Sequence, residues 1–116
     1  MKNVCKLALL SLLSYNIAVN AEEKVIKVAQ KNEVINVTQK DKEFTKKEVT
    51  IKIGDTVRFK NEDSYFHSIF SLSAANFFDL GSFPQGEHKD IKFEKKGEVE
   101  VECAIHPNMK MTIIVE

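Results

Sequence analysis

The sequence predicts an all-β sandwich of seven to eight short strands, and three observations carry that expectation. From Glu22 onward apolar residues alternate with polar ones and do not recur at helical spacing. The alternating runs are rich in Val, Ile and Phe, and turn signals interrupt them roughly every 8–12 residues, as in antiparallel sandwiches. Eight Phe and no Trp supply one modest core, which suits a chain of 116 residues, enough for one domain and not two.

The first 21 residues read as an export signal. Lys2 and Lys6 form a positive start, Leu7 to Leu13 opens an apolar core, and Val19-Asn20-Ala21 suits cleavage after Ala21. Ser14, Tyr15 and Asn16 interrupt the run, which is too short to span a bilayer. No stable membrane insertion is therefore expected, although an uncleaved signal acting as an anchor is the alternative. Residues 22–116 are expected to be a single periplasmic domain and a monomer. Losing Lys2 and Lys6 leaves 15 basic against 17 acidic residues, a formal charge of −2. That balance is no footprint for nucleic acid or anionic lipid. Cys5 leaves with the signal, so Cys103 stands alone in an oxidising compartment with no thiol to pair with. A bound metal would explain its presence.

The elements follow in order. Val25-Ile26-Lys27-Val28 and Val34-Ile35-Asn36-Val37 are the first expected strands. Gln39 to Lys47 is charged and reads as a solvated loop. Val49, Ile51 and Ile53 alternate on a half-buried strand, Gly54-Asp55 turns, and Val57 and Phe59 mark the returning strand. Asn61-Glu62-Asp63-Ser64 is turn chemistry, after which His67 to Leu72 resumes an extended pattern. Ser73 to Gly86 reads as a long crossover loop. Ile91 and Phe93 form the next strand, Lys95-Lys96-Gly97 turns, and Val99, Val101 and Cys103 share one face of another. Met111, Ile113 and Val115 alternate on the last strand.

Between those final strands lies Cys103-Ala104-Ile105-His106-Pro107-Asn108-Met109. A thiolate at the end of a core strand needs a cation beside it. His106 is close enough to ligate the same ion, and Pro107 restrains the loop between them. Two His, one Cys and a weak axial Met describe a blue-copper electron-transfer site. Met109 is the preferred thioether, with Met111 as a rival of the same parity that also has a core-packing role. The second imidazole is expected from His67 on a distant strand. His88 lies in a polar turn and reads as solvated.

These residues give the chain a resemblance to the cupredoxins, the plastocyanin, amicyanin and pseudoazurin group. The matching features are Asn61-x-Asp63-x-x-x-His67-Ser68-x-Phe70-Ser71, then Cys103-x-x-His106-Pro107-x-Met109, then Ile113-x-Val115. The Cys-to-Met spacing resembles the short amicyanin loop, and the likeness covers about residues 45–116. It implies an eight-stranded Greek-key sandwich holding one copper ion on His67, Cys103, His106 and Met109. Three positions depart from the family pattern. Ser68 stands where Asn commonly ties the ligand loops together, Val101 and Glu102 stand where an aromatic commonly precedes the Cys, and Ala104 replaces the Ser or Thr after it. Polarity around the sulfur, and with it the potential, is where such departures act.

The function expected is outer-sphere transfer of single electrons between redox protein partners, and not enzymatic catalysis. A dinuclear oxidase-type centre needs two cysteines, and further copper centres need more histidines than His88 can supply. His106 is the candidate exit for the electron, with a partner rim at Pro107 and Phe77, Phe78 or Phe83 nearby. The alternatives are a copper carrier or buffer using the same ligands, and a metal-free sandwich acting as a binding module.

Overall fold

The computed structural model describes residues 31–116; the expected signal peptide and the strand expected at Val25–Val28 lie outside the described residues. Within them are β1 (Val34–Lys40), β2 (Glu43–Phe44), β3 (Glu48–Ile51), β4 (Thr56–Asn61), β5 (His67–Ser71), β6 (Phe78–Phe83), β7 (His88–Lys92), β8 (Gly97–Glu102) and β9 (Lys110–Val115). They form two sheets, ordered β2-β1-β4-β7 and β3-β9-β8-β5-β6. Both sheets are mixed: β1 runs parallel to β4 and β3 parallel to β9, while the other pairs are antiparallel. No helix among the described residues is long and apolar enough to cross a membrane.

The alternation read from sequence decides what faces inward. Val99 and Val101 on β8, Ile113 and Val115 on β9, and Val57 and Phe59 on β4 are all buried, while their polar neighbours face outward or sit at the margins. These apolar side chains form one cluster that includes Cys103 and both inward methionines, Met109 and Met111.

Three expectations are corrected. The charged stretch Gln39–Lys47 is not a solvated loop: β1 and β2 form a hairpin whose two-residue turn is Asp41-Lys42. Both turn residues have positive φ, 55° and 58°, the geometry of a type I′ turn usually given to Asn-Gly. Asp63 holds it by accepting the N–H groups of Asp41 (2.8 Å) and Lys42 (3.1 Å). Phe44, carried by this hairpin, is only 1% exposed and meets Phe59 edge-on. Second, β3 and β4 are not partners. The chain passes from one sheet to the other at Gly54, Ile53 is left exposed, and each strand finds a parallel neighbour instead. Third, the crossover after Ser73 contains β6, paired antiparallel with β5. Its Gly81 and Ser82, both exposed, hid it from a reading based on β-branched residues. The described strands therefore number nine, against the seven to eight expected.

Asp55 anchors the crossing between β3 and β4. Its buried carboxylate accepts the N–H groups of Lys52 (2.9 Å) and Glu33 (2.9 Å). Those two bonds, Lys52 foremost, hold its pKa below the ordinary carboxylate value against the opposing effect of burial. A lowered folded-state pKa stabilises the fold above the unfolded value of about 3.9, and that stabilisation fades as pH falls through the folded value. Asp55→Ala is expected to cost about 2 kcal/mol at neutral pH by stranding two backbone donors. Urea denaturation of both proteins should show the gap narrowing as pH drops below about 4; a gap independent of pH would contradict this assignment.

Candidate metal centre

The topology brings the start of β5 and the end of β8 to the same place. The two strands are antiparallel neighbours in the middle of the five-stranded sheet, with Phe70 opposite Glu102. His67 opens β5 and Cys103 immediately follows β8, so residues far apart in sequence meet at one end of the sandwich. The loop between β8 and β9 closes on itself: Met109 N–H donates to His106 C=O (2.9 Å) and Cys103 N–H to Met109 C=O (3.3 Å). Pro107 follows His106 within that closed turn.

Three donor atoms converge there. His67 Nδ1 lies 3.8 Å from Cys103 Sγ, His106 Nδ1 lies 3.9 Å from the same sulfur, and the two Nδ1 atoms are 3.1 Å apart. Among the described residues these three form the one group of His, Cys or acidic side chains placed to hold a metal ion. Bonds of about 2.0 Å to nitrogen and about 2.3 Å to sulfur would separate such donors by roughly 3.5–3.8 Å around a trigonal ion. The observed triangle fits a single ion with little movement. His67 is wholly buried, Cys103 is 1% exposed and His106 is half-buried, so the site opens to solvent on the His106 side.

Neighbouring groups prepare each donor. His67 Nε2 is 2.7 Å from Asp63 Oδ2. With Nε2 turned to that carboxylate, Nδ1 is the ring nitrogen left facing the cluster, the orientation a metal ligand requires. Burial tends to raise the Asp63 pKa, but bonds from His67, Lys42 and Asp41 outweigh it and the carboxyl stays below its ordinary range. Burial is the main cause that lowers the His106 pKa, with the Lys42 charge acting the same way and Asp63 opposing; the neutral, metal-binding imidazole is favoured. Tyr65 packs its ring 5.3 Å from both imidazoles, and the Lys42 ammonium lies over that ring.

Ser68, where the family pattern has Asn, ties the two ligand segments with its hydroxyl. Its hydroxyl accepts the Ala104 N–H (2.7 Å) and lies 3.8 Å from Cys103 Sγ, while its own backbone N–H donates to the sulfur at 3.3 Å. Asp63 and Tyr65 are the contributions that sequence reasoning missed. The only signal was a carboxylate four residues before His67, which becomes a contact because the chain bends sharply after Asn61. His88 is exposed, as expected, but it begins β7 and takes no part in the cluster.

A model of the cupredoxin-like domain matches residues 6–115. The chain belongs to the cupredoxin-like family. Among solved structures, a copper-containing nitrite reductase from Thermus scotoductus SA-01 is similar at 28% identity and a TM-score of 0.68. The alignment covers 78% of this cupredoxin and 24% of that chain, so the likeness spans about a quarter of the reductase. A Cu(I) amicyanin variant (20% identity) and a reduced one (22%) each give a TM-score of 0.67 over 78% of this chain and 87% of theirs. At that identity the amicyanin likeness concerns the fold. No curated protein matches the chain.

The cupredoxin fold corrects the expected rim. Phe83 is buried opposite His67, and Phe78 lies opposite Ser71 at the far end of β5, about 13 Å along the strand. Phe77, next to it, is exposed at that same far end. The apolar groups that do flank His106 are Ile105, 48% exposed, and the Tyr65 ring from the neighbouring turn.

Proposed function

We propose that this cupredoxin is a type 1 copper protein that carries single electrons between redox partners in the periplasm, with His67, Cys103, His106 and Met109 as its ligands. The observation that carries the reading is the convergence of two imidazole Nδ1 atoms and the Cys103 sulfur in a largely buried triangle that fits one ion. Met109 completes the set in preference to Met111. Met111 sits within the β8–β9 ladder opposite Val101, whereas Met109 precedes the ladder and its backbone closes the ligand loop on Cys103 and His106. Soft sulfur donors beside imidazole select copper over harder ions.

Bound copper would supply the one-electron couple. The chain's task is to hold its donors still while the charge changes, and the carboxylate behind His67 and the tie from Ser68 to Ala104 do so. Burial of His67 and Cys103 keeps water from the ion. His106 alone reaches toward solvent and is the exit for the electron; the exposed Ile105 and Pro107 beside it form the contact rim. His88 stands outside the group of converging donors. Ile105→Lys is expected to leave the copper spectrum unchanged and slow electron exchange with a small redox protein about tenfold or more, on the penalty for burying an unpaired charge. Unchanged exchange would remove Ile105 from the contact surface.

Lability separates an electron carrier from a copper carrier. The copper-loaded protein, cycled between chemical reductant and oxidant in the presence of a chelator, is expected to keep its metal through both states. Loss of the metal in either state would favour the carrier or buffer reading.

A further inference from the structure

We propose that Gln39 is a positioning residue for the copper site: from the opposite sheet it fixes the Ser68 backbone that hydrogen-bonds to the Cys103 thiolate, and so sets the reduction potential. The inference rests on the copper reading above. Gln39 is an inward residue of β1 and is wholly buried. Its Nε2 crosses the sandwich to donate to Ser68 C=O at 3.2 Å. Its Oε1, equally buried, has no partner among the described residues.

A buried amide with an unpaired acceptor costs stability, and a methionine or leucine of similar volume would not incur that cost. Stability alone therefore does not account for Gln39. Its cross-strand neighbour Asn61 shows the contrast. Asn61 also sends its amide across, to Phe83 C=O, but the same amide donates to Tyr65 C=O in its own turn and its Oδ1 accepts the Asp63 N–H, so both ends of that side chain are satisfied. The single hydrogen bond that the Gln39 side chain makes serves Ser68.

Ser68 is where a brace is needed. The β5–β6 register shifts between Ser68 and Phe70, so the regular ladder that would fix this backbone is broken there. The same residue presents its N–H to Cys103 Sγ at 3.3 Å. A hydrogen bond to a ligating thiolate withdraws electron density from the sulfur and favours the reduced metal. Loosening Ser68 lengthens that bond and lowers the potential.

Gln39→Met keeps the length and bulk of the side chain and removes the donor. In the copper-loaded protein its reduction potential is expected to fall below that of the wild type. In the metal-free protein the Ser68 amide should exchange with solvent several-fold faster, while the denaturation midpoint stays equal or rises. An unchanged potential in a protein whose wild type shows the copper–thiolate absorption overturns the proposal. If the wild type shows no such absorption, the copper reading has failed on its own account. Ser68 exchange in the metal-free protein then decides whether Gln39 acts on this segment, and unchanged protection overturns the inference. Gln39→Leu is read in the same way should the methionine variant not fold.

Discussion

Asp63→Ala is expected to lower both stability and copper affinity, because one carboxylate serves two structures. It accepts from buried His67 Nε2 and from the backbone of Asp41 and Lys42 at the β1–β2 turn. Removing it strands the N–H of a wholly buried imidazole and frees a turn held at positive φ. The loss is on the order of 3 kcal/mol, the scale of leaving buried donors without an acceptor. Copper affinity should fall about 10–100-fold, the usual effect of removing the group behind a ligating imidazole. Chemical denaturation of the metal-free protein measures the first and competition with a chelator measures the second. Asp63→Asn keeps one of the two acceptor oxygens and should lose less of both. Wild-type affinity in Asp63→Ala would show that His67 needs no carboxylate to present Nδ1.

Cys103→Ser should abolish the stabilisation that copper confers while leaving the metal-free fold close to wild type. With free copper at about a thousand times the dissociation constant, binding adds about 4 kcal/mol. For a domain of this size that corresponds to a rise in Tm on the order of 15–30 °C. A serine hydroxyl does not ionise at neutral pH and is a hard donor, so most of that rise should vanish in the variant. Thermal unfolding with and without copper provides the check. An equal rise in both proteins would place the copper elsewhere.

The legible part of this cupredoxin is the part whose chemistry is local. Val99, Val101 and Cys103 alternate toward the core, the ligand loop follows at once, and Met111, Ile113 and Val115 close the sheet, all within one continuous stretch. His67 was reachable because the loop was one imidazole short, though its partner sulfur lies 36 residues away. What stayed hidden depends on contacts between distant segments. Gln39 and Phe44 sit in a run of charges: Gln39 faces inward with Val37 on β1, and the Asp63 carboxylate holds the Asp41-Lys42 turn that brings Phe44 inward after it. β3 and β4 read as a hairpin because Gly54-Asp55 looks like its turn, yet the same two residues carry the chain between sheets. The Phe77–Phe78 pair reads as a contact surface until the β5–β6 register places it at the wrong end.

The central claim is that His67, Cys103 and His106 hold one copper ion through a thiolate bond. The most direct test is a visible absorption titration of the purified protein with Cu(II). The account predicts an intense sulfur-to-copper charge-transfer band that saturates at one equivalent. Saturable binding without that band, or no copper binding at all, would contradict it.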